Sequence, residues 1–235
     1  MSGALCVLVV SNIDLKTNVA VTKPSAFLKS SVRDCILNVN NDYRYMKLGY
    51  YVSLHAEILG NKVVPTTENA VDAYRLPILL VRASKNNVPT MPYIVTDSVK
   101  QIMAEFKFPI VVFAVNPFSF EGYYVAKNRS ALYRVVKSLS MNYRYAVCAQ
   151  PLNGEMVSCK SFFGRSNIED ASIGEIAEKV YKTFNIPICK LHIQYVDGKA
   201  HLCSLQPLEM EEISPSDVNE ISKTVSRFSE KGGFD

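Results

Sequence analysis

FPIVVFAVNPFSFEGYYVAK, residues 108–127, sets three β-branched residues (Ile110, Val111, Val112) ahead of a turn-rich stretch with Asn116, Pro117, Ser119 and Gly122. A second short apolar run, Tyr123 to Ala126, follows. This spacing predicts strand, flexible loop, strand. Such a loop closes over a polyanion only when cations and backbone amides point into it. Here it offers an aromatic and an acid, Phe120 and Glu121, with one glycine, and the strand before it carries Phe113. The frame of an anion-gripping hairpin is present and its positive charge is thin.

Around the hairpin, 235 residues with 48% hydrophobic content are enough to bury a full core, and the length predicts two or three small lobes. No apolar run approaches the roughly 18 to 20 residues that cross a bilayer, so no membrane span is expected. The opening MSGALCVLVVSN has an apolar centre without a basic leader or a small-residue cleavage site. It reads as a first buried strand of an intracellular, cytoplasmic protein. Six cysteines (Cys6, Cys35, Cys148, Cys159, Cys189, Cys203) are dispersed without the spacing of a zinc site, so buried thiols in a reducing compartment are expected. The 26 basic and 22 acidic residues are interspersed, and their net charge of +4 permits an anionic partner without requiring one.

Towards the amino terminus, strands and helices alternate: ALCVLVV, a helix over SAFLKSSVRDC, CILNV, a helical stretch ending at Leu59, then NKVVPT. That rhythm predicts a small open α/β unit. Leu48, Tyr51, Val52, His55, Ala56 and Leu59 recur at helical spacing, and Gly60 stands where a left-handed residue closes the helix. His55, beside this apolar face, reads as a packing residue. From Glu68 to Asn87 the pattern loosens. Beyond it, Thr96 or Asp97 is the expected cap of a helix burying Val99, Ile102, Met103 and Phe106, and Ser130 starts another with Leu132, Val135, Val136 and Leu139. Strands are expected at 145–150 and 155–163, then a helix over SIGEIAEKVYKTFNI with Ser172 and Glu175 at capping-box spacing. A hairpin turned by Asp197-Gly198 follows, then a last helix opened by Ser214-Pro215. The tail SEKGGFD is polar and expected to fray.

Two blocks resemble one family. NVNNDYRYMKLGYYVSLHAEILGNKVVPT, residues 38–66, resembles the amino-terminal domain that precedes the ATP-grasp module in RimK-like ligases, where a tyrosine-rich turn leads into a GYYVSLLAEA-type helix and a strand ending in proline. VPTMPYIVTDSVKQIMAEFKFPIVV, residues 88–112, is similar to the opening of that module. NPFSFEGYYVAKN (116–128) is similar to its phosphate loop, AVCAQPLNGE (146–155) to its adenine-contacting strand and MVSCKSFFGRSNI (156–168) to the strand after it. The linker between the two domains looks shorter than usual. The resemblance implies an α/β fold made of α+β subdomains. A small N-terminal α/β domain over 1–80 precedes a two-lobed ATP-grasp-like module, with its small lobe at 81–152 and its C-terminal lobe at 153–235.

The implied reaction passes the γ-phosphoryl of ATP to a carboxylate, and an amine then attacks the acyl phosphate to form an amide. Lysines must neutralise the triphosphate and carboxylates must hold the bridging Mg²⁺, because phosphoryl transfer is mostly positioning and charge compensation. Carried across position by position, the strand lysine is replaced by Phe113. The first metal carboxylate falls on His192 in KLHIQ, and the E-x-N metal pair falls on Ser204 and Gln206 in HLCSLQPLEM. Vestigial nucleotide contacts would be Arg75 near the first phosphate-facing lysine, Ser119 and Gly122 in the loop, Lys127 just after it, and Gln150 at the adenine position. A triphosphate without metal carboxylates is left undercompensated, on the order of several kcal/mol in a low-dielectric cleft.

The expected function is therefore that of a degenerate ATP-grasp protein without catalytic residues, metal or cofactor, retained as a structural or partner-binding subunit of a protein complex. An alternative keeps a carboxylate-amine ligase whose Mg-ATP site is rebuilt around Glu209 or Glu211, residues that together with Glu212 otherwise read as a solvated acidic turn. A second alternative is an RNA-binding accessory protein, since tyrosines and cations interleave in DYRYMKLGYY and LYRVVKSLSMNYRY.

Overall fold

A computed structural model describes residues 7–115 and 122–230. Cys6, the loop residues Asn116, Pro117, Ser119, Phe120 and Glu121, and the end of the tail lie outside the described residues. The first sheet is parallel, in the order β2-β1-β3-β4, from β1 (Val7–Ser11), β2 (Val21–Thr22), β3 (Cys35–Val39) and β4 (Lys62–Val64). VLVVS and CILNV read as near-continuous apolar runs because the inner strands of such a sheet are covered on both faces. Phe27 of α1 (Pro24–Phe27) and Val52 and Ala56 of α2 (Leu48–Ile58) cover one face.

Helix α2 forms where predicted and is followed by Gly60 at φ 78°, but it buries Gly49, Val52, Ser53 and Ala56, while Leu48 and Tyr51 of the expected apolar face are exposed. His55 behaves as a packing residue, its ring edge-on to Phe27 at 5.2 Å and its Nε2 3.0 Å from the Ser30 carbonyl. The helix expected over SAFLKSSVRDC is a single turn. Pro24 starts it, but Ser30 Oγ donates to the Phe27 carbonyl at 2.8 Å, a local bond that competes with helix continuation. Conversely, the loosened stretch after Glu68 folds as two helices, α3 (Thr67–Ala73) and α4 (Leu76–Lys85). Thr66 caps α3 by accepting from the Asn69 N–H at 3.2 Å, and Pro77 occupies the first turn of α4.

The second sheet is antiparallel, in the order β5-β8-β6-β7, with β5 (Ile94–Thr96), β6 (Ile110–Ala114), β7 (Tyr123–Ala126) and β8 (Val147–Pro151). The expected hairpin is β6–β7, with Ile110 opposite Ala126 and Phe113 opposite Tyr123. Side chains alternate along β6: Ile110 and Val112 pack under α5 (Val99–Glu105) and α6 (Arg129–Leu139), while Val111 and Phe113 point to the other core. The caps differ from expectation. Thr96 Oγ is engaged by the Ser98 N–H at 3.0 Å, leaving Ser98 to cap α5, and Asn128 rather than Ser130 caps α6.

The third sheet is antiparallel, in the order β10-β9-β11-β12, from β9 (Glu155–Phe162), β10 (Arg165–Ser166), β11 (Ile188–Val196) and β12 (Lys199–Gln206). Asp197 (φ 49°) and Gly198 (φ 76°) turn β11 into β12 in the left-handed conformation expected of that pair. Helix α7 (Ala171–Phe184) packs on this sheet. Its cap is Asp170, which accepts from the Ser172 and Ile173 N–H groups at 2.9 and 3.0 Å; Glu175, expected in a capping box, pairs instead with Lys179 at 2.7 Å. Helix α8 (Pro215–Glu230) opens as predicted at Ser214, whose Oγ accepts from the Asp217 N–H at 3.2 Å. Its Ile221 and Val225 reach back to Val7, Val9 and Leu37 and cover the remaining face of the first sheet.

The second and third sheets are tied together by two fully buried glutamines. Gln150 Nε2 donates to the Cys203 carbonyl at 3.0 Å, and Gln194 Nε2 donates to the Pro151 carbonyl at 3.0 Å while its Oε1 accepts from the Asn153 N–H at 3.1 Å. The five described cysteines are free and buried as expected, and burial pushes the Cys148 and Cys203 thiols up to about 12. No helix among the described residues is long and apolar enough to cross a membrane.

Replacing Gln194 by leucine leaves the Pro151 carbonyl and the Asn153 amide unpaired, an expected loss of about 1–3 kcal/mol. Urea unfolding should then give a lower midpoint with an unchanged slope.

Candidate functional site

The carboxyl ends of β6 and β12 open onto a cleft of about 500 Å³. Phe113, Ala114 and Val115 form one wall, and Ser204 to Pro207 form the other. The turn after β3 contributes Arg44 and Tyr45, and the corner between α3 and α4 contributes Tyr74 and Arg75. Arg44 is held by Asp42, its Nε donating to the two carboxylate oxygens at 3.0 and 3.1 Å. Arg75 is exposed at the start of α4. Two hydroxyls of the lining, on Tyr74 and Ser204, are closed to solvent and have no hydrogen-bond partner among the described residues. Burial holds the Tyr74 phenol well above the usual tyrosine range, so it is a neutral donor at physiological pH.

Of the residues singled out in the sequence, Arg75, Phe113, Gly122, Ser204 and Gln206 meet at this cleft. Ser119 lies outside the described residues. Lys127 is exposed beyond β7 and does not line the cleft. Gln150 lies on a central strand, and its amide donates to the Cys203 carbonyl. His192 sits behind the wall at the end of a ladder of side chains. Phe113 packs on Tyr123 with ring centroids 5.8 Å apart, and Tyr123 meets the edge of the His192 ring at 5.3 Å. The imidazole is held from both ends, its Nδ1 2.8 Å from Ser158 Oγ and its Nε2 3.0 Å from Gln206 Oε1. A carboxamide oxygen only accepts, so Nε2 carries the hydrogen and Nδ1 is free to accept from Ser158. Burial, aided by nearby Lys190, lowers the His192 pKa and keeps the ring neutral, against the opposing effect of the Gln206 bond.

The lining, as described, contains no carboxylate and no lysine. Among the described residues no group of three or more His, Cys, Asp or Glu side chains could hold a metal. Glu209 and Glu212 bond each other's backbone around the short turn Met210–Glu212, and Glu212 also pairs with Lys190 at 2.6 Å, so this segment is not simply a solvated acidic turn. Arg44, Tyr45 and Tyr74 were not legible as site residues. Arg44 and Tyr45 stood in the tyrosine-rich block as an interleaved pattern, and only the fold brings that turn to the end of β12.

A parallel sheet leading into two antiparallel sheets that face each other across a cleft is the ATP-grasp arrangement. The chain belongs to the RimK-like ATP-grasp N-terminal domain family, whose profile matches residues 24–89 and 118–224. Among curated proteins none matches. Among solved structures it is similar to a RimK-domain ATP-grasp protein from Sphaerobacter thermophilus DSM 20745, with 14% identity, TM-score 0.63 and 93% of this chain and 99% of that one covered. It is similar to a D-alanine–D-alanine ligase from Bacillus anthracis, with 12% identity, TM-score 0.63 and 98% and 100% covered. A third similar structure is the ATP-grasp ligase PsnB with a precursor peptide and AMPPNP, with 10% identity, TM-score 0.64 and 96% and 98% covered. At such identities the likeness is one of fold.

The ladder has a pH signature. The unfolded chain takes up a proton at His192 near pH 6.5 and the folded chain resists it, so stability is held above that pH and falls below it. The expected slope is up to about 1.4 kcal/mol per pH unit. Comparing urea midpoints at about pH 7.5 and about pH 5.5 should give a smaller drop for His192→Gln than for the parent chain.

Proposed function

We propose that this protein is a degenerate ATP-grasp protein, non-catalytic, serving as a structural or partner-binding subunit of a complex. Its chain is organised as an N-terminal domain over 1–80 and lobes over 81–152 and 153–235. The observation that carries this reading is the Phe113–Tyr123–His192 ladder. The pleat of β6 aims residue 113 into the space between the two antiparallel sheets, where a lysine would meet phosphate. That space is filled instead by a ring only 2% exposed. At the position expected for a metal carboxylate stands an imidazole committed to two hydrogen bonds.

The residues present do not fit Mg-ATP. Of the two guanidiniums at the cleft one is already paired with Asp42, and the described lining has no carboxylate to share a Mg²⁺. A triphosphate there would lack the charge compensation that phosphoryl transfer depends on. The partner side of the reading is supported by the surface. Tyr45, Met46, Leu48 and Tyr51 are 57%, 61%, 52% and 41% exposed on the turn before α2 and the outer side of that helix. Large apolar side chains grouped on a surface mark interaction sites.

Isothermal titration with Mg-ATP tests the non-catalytic claim. No heat of binding is expected up to about millimolar nucleotide, whereas about micromolar affinity would overturn it. The partner claim predicts that a tagged chain copurifies with a stoichiometric protein and that Leu48→Asp with Tyr51→Asp loses it while the melting temperature holds.

One observation favours the RNA reading as a second choice. Tyr143 and Tyr145 are exposed on either side of Arg144, on the turn after α6. In a filter-binding titration of single-stranded RNA, that reading requires retention that weakens steadily as salt rises.

A further inference from the structure

A second concavity, of about 380 Å³, lies between α8 and the segment after β1 and shares no lining residue with the cleft. It is lined by Lys16, Asn219, Ser222, Lys223, Ser226 and Arg227. The two segments are stapled together. The Lys16 N–H donates to Ser222 Oγ at 3.0 Å, and the Thr17 and Ser226 hydroxyls meet at 2.8 Å. Ser222 is 3% exposed, and Ile221 beside it is anchored in the core beneath the first sheet, so the backbone of Lys16 is placed by the fold rather than left to drift.

Three cations therefore converge on one hollow whose lining holds no acid. Among the described residues none of the three is in an ion pair. Of the nearby carboxylates, Asp14 pairs with Lys23 and Asp217 with Lys160 at 2.8 Å, and Glu220 of α8 is not part of the lining. Helix α7 makes the contrast plain, since its i,i+4 positions pair Glu175 with Lys179 and Glu178 with Lys182 at 2.7 and 2.6 Å. At the same spacing α8 carries Lys223 and Arg227, like charges that repel. Adding a third cation through a buried staple raises that repulsion, and a multivalent anion in the hollow reverses it.

We propose that this concavity is a phosphate site. Arg227 supplies a planar fork, Lys16 and Lys223 supply point charges, and the Asn219 amide supplies a neutral donor. Three cations lining one hollow match a compact multivalent anion: a phosphomonoester or a diphosphate. A terminal phosphate of this kind occurs on small phosphorylated ligands and on the 5′ end of a nucleic acid. The assignment does not depend on whether the cleft binds nucleotide.

Pyrophosphate titrated into the full chain, followed by calorimetry and by the amide resonances of Lys16 and Ser222, tests it. Saturable binding that weakens with salt is expected, together with shifts at both amides. In Lys223→Gln with Arg227→Gln the dissociation constant should rise by about tenfold or more, since two charge-assisted contacts are lost. A control of equal charge change on α5 and the segment after it, Lys100→Gln with Lys107→Gln, should leave it unchanged. RNA oligomers with and without a 5′ phosphate separate the two sources. A preference for the phosphorylated oligomer that disappears in the α8 variant assigns a nucleic-acid end, and equal binding of the two oligomers assigns a small ligand. Absence of saturable pyrophosphate binding, or equal weakening in both double variants, overturns the proposal.

Discussion

Two side-chain amides, Gln150 and Gln194, hold the second and third sheets against each other from positions with no access to water. A buried amide or carbonyl without a partner is costly, so each glutamine allows only the sheet placement that brings Cys203 or Pro151 within reach. With that placement set, the ends of β6 and β12 must meet, and the cleft between them follows. The turn after β3 and the corner between α3 and α4 complete its rim because both pack on the same core.

Inside this frame, chemistry is decided by a few positions that the pleat aims inward. Phe113 points into the core between the two antiparallel sheets, and Tyr123 opposite it lies in the partner strand of the same hairpin. His192 and Ser204 face each other across β11 and β12, and Gln206 follows two residues on, on the same side. These positions carry packing and hydrogen-bonding groups. The fold is like that of ATP-grasp ligases, and the described lining of the cleft holds no carboxylate and no lysine.

Much of the fold could be read before the structure. The β6–β7 hairpin, the Asp197-Gly198 turn, helix α2 with its terminal glycine and the opening of α8 at Ser214 all rest on local signals that tertiary packing did not override. What escaped was either short or decided by competition between neighbours. Helices α3 and α4 are each too brief to establish a period across the Tyr74-Arg75 corner. The caps Ser98, Asn128 and Asp170 displaced adjacent residues of the same chemical type, a choice set by a single backbone amide. In the site, Arg75, Phe113, Gly122, Ser204 and Gln206 were legible through the resemblance. Arg44, Tyr45 and Tyr74 were not, because their role depends on where a distant turn and a helix corner come to rest.

Helix α8 closes the apolar face of the first sheet through Ile221 and Val225 against Val7, Val9 and Leu37. Because α8 follows β1 and β3 far along the chain, that face stays bare during synthesis until α8 has emerged. Contacts so distant in sequence slow folding and leave an exposed surface open to wrong encounters in the meantime. Completion of α8 thus governs when β1 and β3 lose their exposed apolar face.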